Sequence, residues 1–528
     1  MRSNSARIRR IGWGFRRWLG DVRVFGKVFC TFAGATVGQA SALMARPASA
    51  RLTGYQSGKR AAPGAGTSPR SLAGAFTSLA TREGLPWPAR LFLLALLIPW
   101  IIDLGPLRMS IDRIVLVMTI VPCLLMWLTG RAGQVRATDL FLVVYCLWCF
   151  VSLLVVYGAE AMQPAGILFL ETMGAYLLSR VCIRKASHFR GMVLLLFFAV
   201  LFLLPFALFE AIAGRNILLE TFNSILPARH DYFMKPRWEL RRVQSVFDHP
   251  ILYGVFCSGV FALAHMVLGS TQSWFRRWSR TAIVAAATFC SLSSGPLSAL
   301  AVQSLLILWN WLFRNIPSRW SILLALLALM YIAVSLVSNQ TFFEFYVHYF
   351  AFSQDTGWDR LHIWQYGWAS IFKHPLFGIG YHEYERPEWM EPSIDMFWLI
   401  NFVRFGIPAG VLMLLAFGSV ILSLALKKGL DDKRETYRAA YLITMAGLFT
   451  VGWTVHFWNA PYLLFMFLLG SASWMFDDEA QATSPRDSRR SGERVDHRMI
   501  QPRRRYETPI RRGIRPSPKR RFKATLME

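Results

Sequence analysis

"DRLHIWQYGWASIFKHPLFGIGYHEY" occupies Asp359–Tyr384, and its reading decides how the apolar chain around it is divided. Arg360, Lys373, three histidines and two acidic residues are too many polar groups for an unbroken bilayer span. Its Trp, Tyr, Phe and Ile content is equally too high for a plain solvated loop. The stretch therefore reads as a short helix and turn outside the membrane, seated on the membrane surface by its aromatic side chains.

Around it the composition is that of a membrane protein. The 528 residues are 54% hydrophobic and 17% charged, so long apolar runs dominate. A hydrocarbon core needs about 20 apolar residues per helix. On that scale twelve stretches qualify, near 90–104, 112–129, 139–157, 164–182, 191–213, 250–268, 281–293, 297–313, 320–338, 395–426, 439–458 and 460–476. The pair at 281–313 is short-limbed around "SLSSGPLS". The run from Asp395 exceeds one span, and Gly406 and Pro408 predict a break between an interfacial helix and a membrane helix. The first long apolar run begins near residue 90, so no secretory signal peptide is expected.

Lys and Arg fix the expected orientation. Arg131 and Arg136, Arg180–Arg190, Arg276–Arg280, Arg314 and Arg319, and Lys427–Arg438 fall in alternate short loops, whereas the opposite set offers only Arg108. The expected fold class is thus an all-α polytopic membrane protein of about 12 transmembrane helices, with both termini cytoplasmic. Two long outer segments, 214–249 and 339–394, carry short helices. Flanking this 90–476 membrane domain are a basic region at 1–89 and a basic tail at 477–528, rich in Ser, Pro and Gly and expected to be disordered. Neither end holds a nucleic-acid-binding module, so membrane lipids are their expected partners and nucleic acid is not.

Several chemistries lack their signatures. Cys146 and Cys149 form a CxxC in the middle of an apolar helix, where two small hydrophobes one turn apart are expected rather than a redox or metal pair. No HExxH, zinc-spaced CxxC pair, Walker A loop or GxSxG occurs. Intramembrane Glu171, Glu210, Gln303, Asn310 and His456 are scattered, unlike the matched carboxylates of an ion-coupled transporter.

The outer segments hold the informative charges. Segment 214–249 has six basic residues against four acidic ones, contrary to the positive-inside tendency, while 339–394 has three against seven. Arginines from separate outer loops point to an anionic substrate, because guanidinium forks grip phosphate oxygens and stabilise a diphosphate as it leaves. The same residues could equally anchor at phospholipid headgroups. The echo between "HPILYG" (His249–Gly254) and "HPLFGIG" (His374–Gly380) reads as a repeated turn signal.

Four stretches, in order across roughly 160–476, resemble the bacterial O-antigen ligase and polymerase family. They are "RRVQSVFDHPILYG" (Arg241–Gly254), "SLSSGPLSAL" (Ser291–Leu300), "GWDRLHIWQYGWASIFKHPLFGIG" (Gly357–Gly380) and "SIDMFWLINFVRFGIPAG" (Ser393–Gly410). The resemblance implies a metal-independent, cofactor-free inverting glycosyltransferase of the inner membrane, acting on undecaprenyl-diphosphate-linked glycans at the periplasmic face. Other polysaccharide export and chain-length proteins are its implied partners. It implies that Arg242 and Arg360 engage the diphosphate, with Arg241 in reserve. Ligases of the family carry His where this chain has Asp395, so the chain looks closer to the exopolysaccharide polymerase branch. Asp395 is the candidate base or hydroxyl-orienting group, or else the N-cap of the returning helix. His249, His374, His382 and Glu383 are the alternatives for the base. Transfer of a finished glycan by a ligase and transport by a lipid-linked-sugar flippase are the competing readings.

Overall fold

The computed structural model describes residues 84–105, 107–337 and 354–476. Of the region expected at 1–89 only the last residues are therefore described, and 338–353 and the tail 477–528 lie outside the described residues. Helices run Trp87–Ala95, Ile111–Leu128, Ala137–Tyr157, Met162–Phe169, Ala175–Cys182, Ala186–Ala213 and Ile217–Asn223. They continue as Pro250–Ser258, Phe261–Met266, Trp274–Cys290, Ser294–Leu312, Arg319–Val337, Gln354–Lys373, Phe397–Leu426, Asp432–Gly452 and Ala460–Gly470.

Among the described residues, six helical stretches are long and apolar enough to cross a membrane: Ile111–Leu128, Ala137–Cys182, Ala186–Ala213, Ser294–Leu312, Arg319–Leu336 and Phe397–Leu426. Ala137–Cys182 is interrupted by a 3-10 turn at Gly158–Ala161 and a π-turn at Leu170–Gly174. The expected spans near 250–268 and 460–476 are shorter apolar helices. Those near 281–293 and 439–458 belong to helices that begin in charged turns, Trp274–Arg280 and Asp432–Glu435. The expectation at 90–104 is corrected. Its helix stops at Ala95, and Ile101–Leu104 pairs antiparallel with Leu107–Ser110 in a two-stranded hairpin. Pro99 cannot continue a helix, Ile101 and Ile102 favour extended backbone, and Gly105 turns the chain with φ +63°. The described chain is thus predominantly rather than wholly helical.

Packing follows the apolar faces. Phe397–Leu426 lies along Ala137–Tyr157, Ser294–Leu312 along Asp432–Gly452, and Ala460–Gly470 along Ala175–Cys182. Buried Gln303 joins two short helices: its Oε1 accepts the Ala262 amide at 3.1 Å and its Nε2 donates to Ser258 O at 2.9 Å. That bridge satisfies the backbone groups exposed where Pro250–Ser258 ends and Phe261–Met266 begins.

The predicted break in the returning helix is present. Gly406 adopts φ 82°, ψ 174° within Phe397–Leu426, leaving backbone groups without helical partners. The turn after Lys373 supplies them. Ile379 N donates to Val403 O at 3.0 Å, Gly380 N to Arg404 O at 2.8 Å, and Ile407 N to Pro375 O at 2.8 Å. Trp148 Nε1 donates to Phe405 O at 3.0 Å from the neighbouring helix. Gly378 and Gly380 both hold positive φ, and a Cβ on Gly378 would lie 2.5 Å from the Arg404 backbone. The "HPLFGIG" motif is therefore a backbone patch for a broken membrane helix. Its echo is not structural, since His249-Pro250 begins a helix and His374-Pro375 follows the end of one.

A side chain at Gly406 would combine positive φ with a Cβ 1.9 Å from Leu376 O. Gly406→Ala is expected to destabilise the fold by at least about 2 kcal/mol. Gly418→Ala, with nothing within 4 Å of the new methyl, is expected to be nearly neutral. Melting temperatures of the two purified variants in detergent test this; equal values would contradict the patch.

Candidate active site

Segment 214–249 is held down by its own acidic residues and by neighbouring carboxylates. Buried Glu210 accepts the amides of Gln244 at 2.9 Å and Ser245 at 3.0 Å. Arg241 ion-pairs with Asp231, lies 3.7 Å from Glu210 and donates to Gly214 O at 2.7 Å. Arg229, also buried, lies 3.8 Å from Asp112 and 3.4 Å from Asp248. Arg215 pairs with Glu220 on the surface at 2.8 Å. Three of the six cations counted against the positive-inside tendency are thus spent on carboxylates.

Two of the remaining cations turn elsewhere. Between Trp274–Cys290 and Ser294–Leu312 the chain makes a tight turn at Ser291–Ser293, with Leu292 at φ +44°. Ser291 Oγ donates to Thr288 O and Ser293 Oγ to Ser291 O, which compensates the strain and fixes the hydroxyls. Three arginines meet this turn from two separate outer segments. Arg237 donates to Leu292 O at 2.8 Å, Arg242 to Ser293 Oγ at 2.9 Å and Arg360 to Ser294 Oγ at 3.0 Å. Arg242 keeps a buried Nε with no partner among the described residues. Burial, then the neighbouring charges of Arg237 and Arg360, push its guanidinium down to about 10. Even so it stays cationic at neutral pH, and an anion placed here would relieve both the burial and the mutual repulsion.

Arg237 was not singled out in the sequence. Trp238 and Glu239 beside it hold φ of 51° and 61°, so a strained pair of residues throws Arg237 back toward the turn. The one sequence signal for it was the excess of cations in 214–249.

His249 borders the same cluster. Its Nδ1 accepts the Ile251 amide at 3.1 Å, capping the Pro250–Ser258 helix. With that nitrogen an acceptor, the neutral ring carries its proton on Nε2. Burial, then the Arg242 charge, push the imidazole down to about 4, against an opposing pull from Asp395 and Asp248. His249 is therefore neutral at pH 7.

Asp395 is not the N-cap of the returning helix. Met396 holds that position without a side-chain cap, and Asp395 Oδ1 instead accepts the Ser393 hydroxyl at 2.5 Å. Arg404, nine residues on, lies with its guanidinium 5.0 Å from the centre of the Tyr381 ring. The remaining candidates sit apart from the arginine cluster. His374 is exposed just past Lys373, and Arg360 lies about 20 Å back along the helix axis. His382 stacks on Tyr157 at 4.9 Å, and Glu383 pairs with Arg386 at 2.9 Å. Arg241 faces Asp231 and Glu210 rather than the Ser291–Ser294 turn.

No curated protein matches the chain. Residues 279–414 match the family model described as O-antigen ligase. That stretch contains the Ser291–Ser294 turn, Arg360, the patched helix break and Asp395, whereas Arg237, Arg242 and His249 reach the site from outside it. The match spans about a quarter of the chain, and two of the described helices apolar and long enough to cross a bilayer, Ser294–Leu312 and Arg319–Leu336, lie wholly inside it.

Proposed function

We propose that the chain polymerises undecaprenyl-diphosphate-linked repeat units at the periplasmic face of the bacterial inner membrane. The observation that carries this reading is the convergence of Arg237, Arg242 and Arg360 on one strained serine turn. Cations gathered from separate segments suit a diphosphate, and their fixed placement suits charge that grows during bond cleavage. The membrane-domain boundaries 90–476 and the cytoplasmic placement of the basic ends belong to this proposal, as do chain-length and export proteins as partners.

In this reading a sugar hydroxyl of one lipid-linked unit attacks the anomeric carbon of the growing chain on the second lipid. The carbon–oxygen bond to the diphosphate breaks with inversion, and its electron pair leaves with the diphosphate, which the three arginines stabilise. The hydroxyl proton passes to the Asp395 carboxylate. His249, with Nδ1 occupied by the Ile251 amide, acts as a hydrogen-bond donor through Nε2 rather than as the base. Arg241 holds the loop that carries Arg242, and His374 has no step in the chemistry. No cofactor is needed, because the diphosphate is already an activated leaving group. Asp395 in place of the family ligases' His favours polymerase over ligase.

The test is the size and accessibility of lipid-diphosphate-linked glycans in a strain whose only copy carries Arg242→Ala or Arg360→Ala. Single units open to an added periplasmic glycosidase are expected, with polymer reduced at least about 100-fold. Long lipid-linked chains would indicate a ligase, single units shielded inside would indicate a flippase, and normal polymer would remove the arginines from the reaction. Arg360→Lys is expected to restore only part of the activity, since a point charge cannot reproduce the guanidinium fork.

His249 gives a pH signature. The unfolded chain protonates it near 6.5 and the folded chain only near 4. Between those values the unfolded state binds more protons, so stability falls as pH drops from 6.5 to 4 and the His249 contribution is constant beyond either limit. His249→Gln lacks this contribution. Its melting temperature is expected to decline less than wild type between pH 7 and 4.5, whereas parallel declines would refute the neutral, buried ring.

A further inference from the structure

Two clefts open beside the C-terminal half of the Gln354–Lys373 helix, away from the arginine cluster. One, of about 370 Å³, is lined by Ser370, Lys373, His374, His382, Glu383 and Tyr384 among others. The second, of about 330 Å³, is lined by Tyr366, Ser370, Lys373, Glu385, Arg386 and Pro387 with Ala369. They share Ser370, Lys373 and Glu385, and the ion pair between Lys373 and Glu385 stands between them. That pair is exposed on both sides, so it is held weakly and can open at small cost.

The lining combines apolar surface, from Val156, Ile379 and Pro387 among others, with polar groups. Carboxylates, a lysine, an arginine, histidines and a serine supply hydrogen-bond donors and acceptors, and Tyr366 and His382 supply flat faces, with His382 backed by the Tyr157 ring. Apolar and flat faces interspersed with hydrogen-bond donors and acceptors fit a hydroxyl-rich ligand such as a sugar. One side chain is left incomplete. Tyr384 is 3% exposed, lines the first cleft, and its hydroxyl has no partner among the described residues. A buried hydroxyl without a partner is costly, and a ligand hydroxyl that reached it through a small opening of the cleft wall would satisfy it. Tyr384 also points the groove somewhere. It packs in one buried cluster with Ile394 and Met396, the residues on either side of Asp395.

We propose that the two clefts form one carbohydrate-binding groove, which holds the sugar portion of the acceptor and leads its attacking hydroxyl past Tyr384 to Asp395. This inference rests on the glycosyl-transfer reading above and adds the acceptor site to it. The arginine cluster at one end of the outer helix takes the charged diphosphate, and the groove at the other end takes neutral sugar. The Lys373–Glu385 pair is the bar across the groove, so glycans longer than one cleft require it to part.

The test uses the full chain in detergent or nanodiscs and a probe with neither lipid nor phosphate. The probe is oligosaccharide released by mild acid from the producing cells' own polymer, titrated by calorimetry or saturation-transfer NMR. Tyr384→Phe, which keeps the ring, is expected to weaken binding about five- to tenfold, the loss of one hydrogen bond. Lys373→Ala, an exposed change that does not threaten folding, is expected to alter affinity for long fragments more than for short ones. Arg242→Ala and Arg360→Ala are expected to leave probe binding unchanged. Undetectable binding to wild type, or equal binding by the groove variants, would overturn the groove. So would loss of binding in the arginine variants alone, which would put the sugar at the cluster. Binding that behaves as expected alongside normal polymer in the arginine variants would instead overturn the transfer mechanism and leave the groove standing.

Discussion

The backbone patch between the Pro375–Gly380 turn and the break at Val403–Ile407 is the constraint on which the rest of the outer face depends. A helix broken at the edge of a bilayer exposes carbonyls and amides that water reaches poorly, at a cost of several kcal/mol for each one left unmet. Three main-chain hydrogen bonds from a single turn and one from Trp148 meet that demand here. They also lock the end of the Gln354–Lys373 helix against the start of the membrane portion of Phe397–Leu426. Because that outer helix is rigid, fixing its end fixes Arg360 at its other end. The same bonds fix the approach of Ser393–Met396 to the returning helix. One local requirement of membrane backbone thus sets the separation between the proposed leaving-group end and the proposed hydroxyl end of the site.

Charge within 214–249 follows a division that burial enforces. A buried guanidinium must find an acceptor, and Arg229 and Arg241 find carboxylates. Arg237 and Arg242 find only neutral oxygens, the Leu292 carbonyl and the Ser293 hydroxyl. Neutral acceptors orient a cation without cancelling its charge. The guanidiniums of Arg237 and Arg242 are thus oriented by neutral acceptors among the described residues, beside pairs whose potential is already spent. Glu210 serves both purposes, since it caps the Gln244 and Ser245 amides and lies beside Arg241.

How much of this was legible in the sequence differs by kind of interaction. Hydropathy exposed the membrane class, because it sums over many residues. The helix break was readable from Gly406 and Pro408, and Arg242 and Arg360 from their loops. What patches the break was not readable: "HPLFGIG" looks like any turn, and its partner lies about 25 residues further on. The fate of individual arginines was equally hidden. Arg241 and Arg242 are neighbours in sequence, yet one pairs with Asp231 and the other reaches Ser293, a difference set by extended backbone sending successive side chains to opposite sides. Pro99 and the paired isoleucines did signal that 90–104 was no simple span, but overall apolarity outweighed that local signal. Asp395 allowed two roles from sequence, and only the helix start at Phe397, with Met396 as its cap, separates them.

The serine turn explains why the cluster forms where it does. Leu292 at positive φ and two helices meeting head to tail would be a liability in a membrane protein, since the junction exposes carbonyl oxygen at Cys290 and Leu292. Val243 N donates to Cys290 O at 3.1 Å, and Arg237 to Leu292 O, so the outer loop closes the junction from above. The loop is therefore drawn to the turn by backbone demand before any substrate is considered. Arg242, one residue before Val243, is delivered to Ser293 by the same bond, and Ser294 receives Arg360 from the opposite segment. Local satisfaction of an interrupted helix pair thus assembles cations from distant parts of the chain. The cluster is a by-product of the way the membrane fold completes its own hydrogen bonding, and its charge is what remains for chemistry.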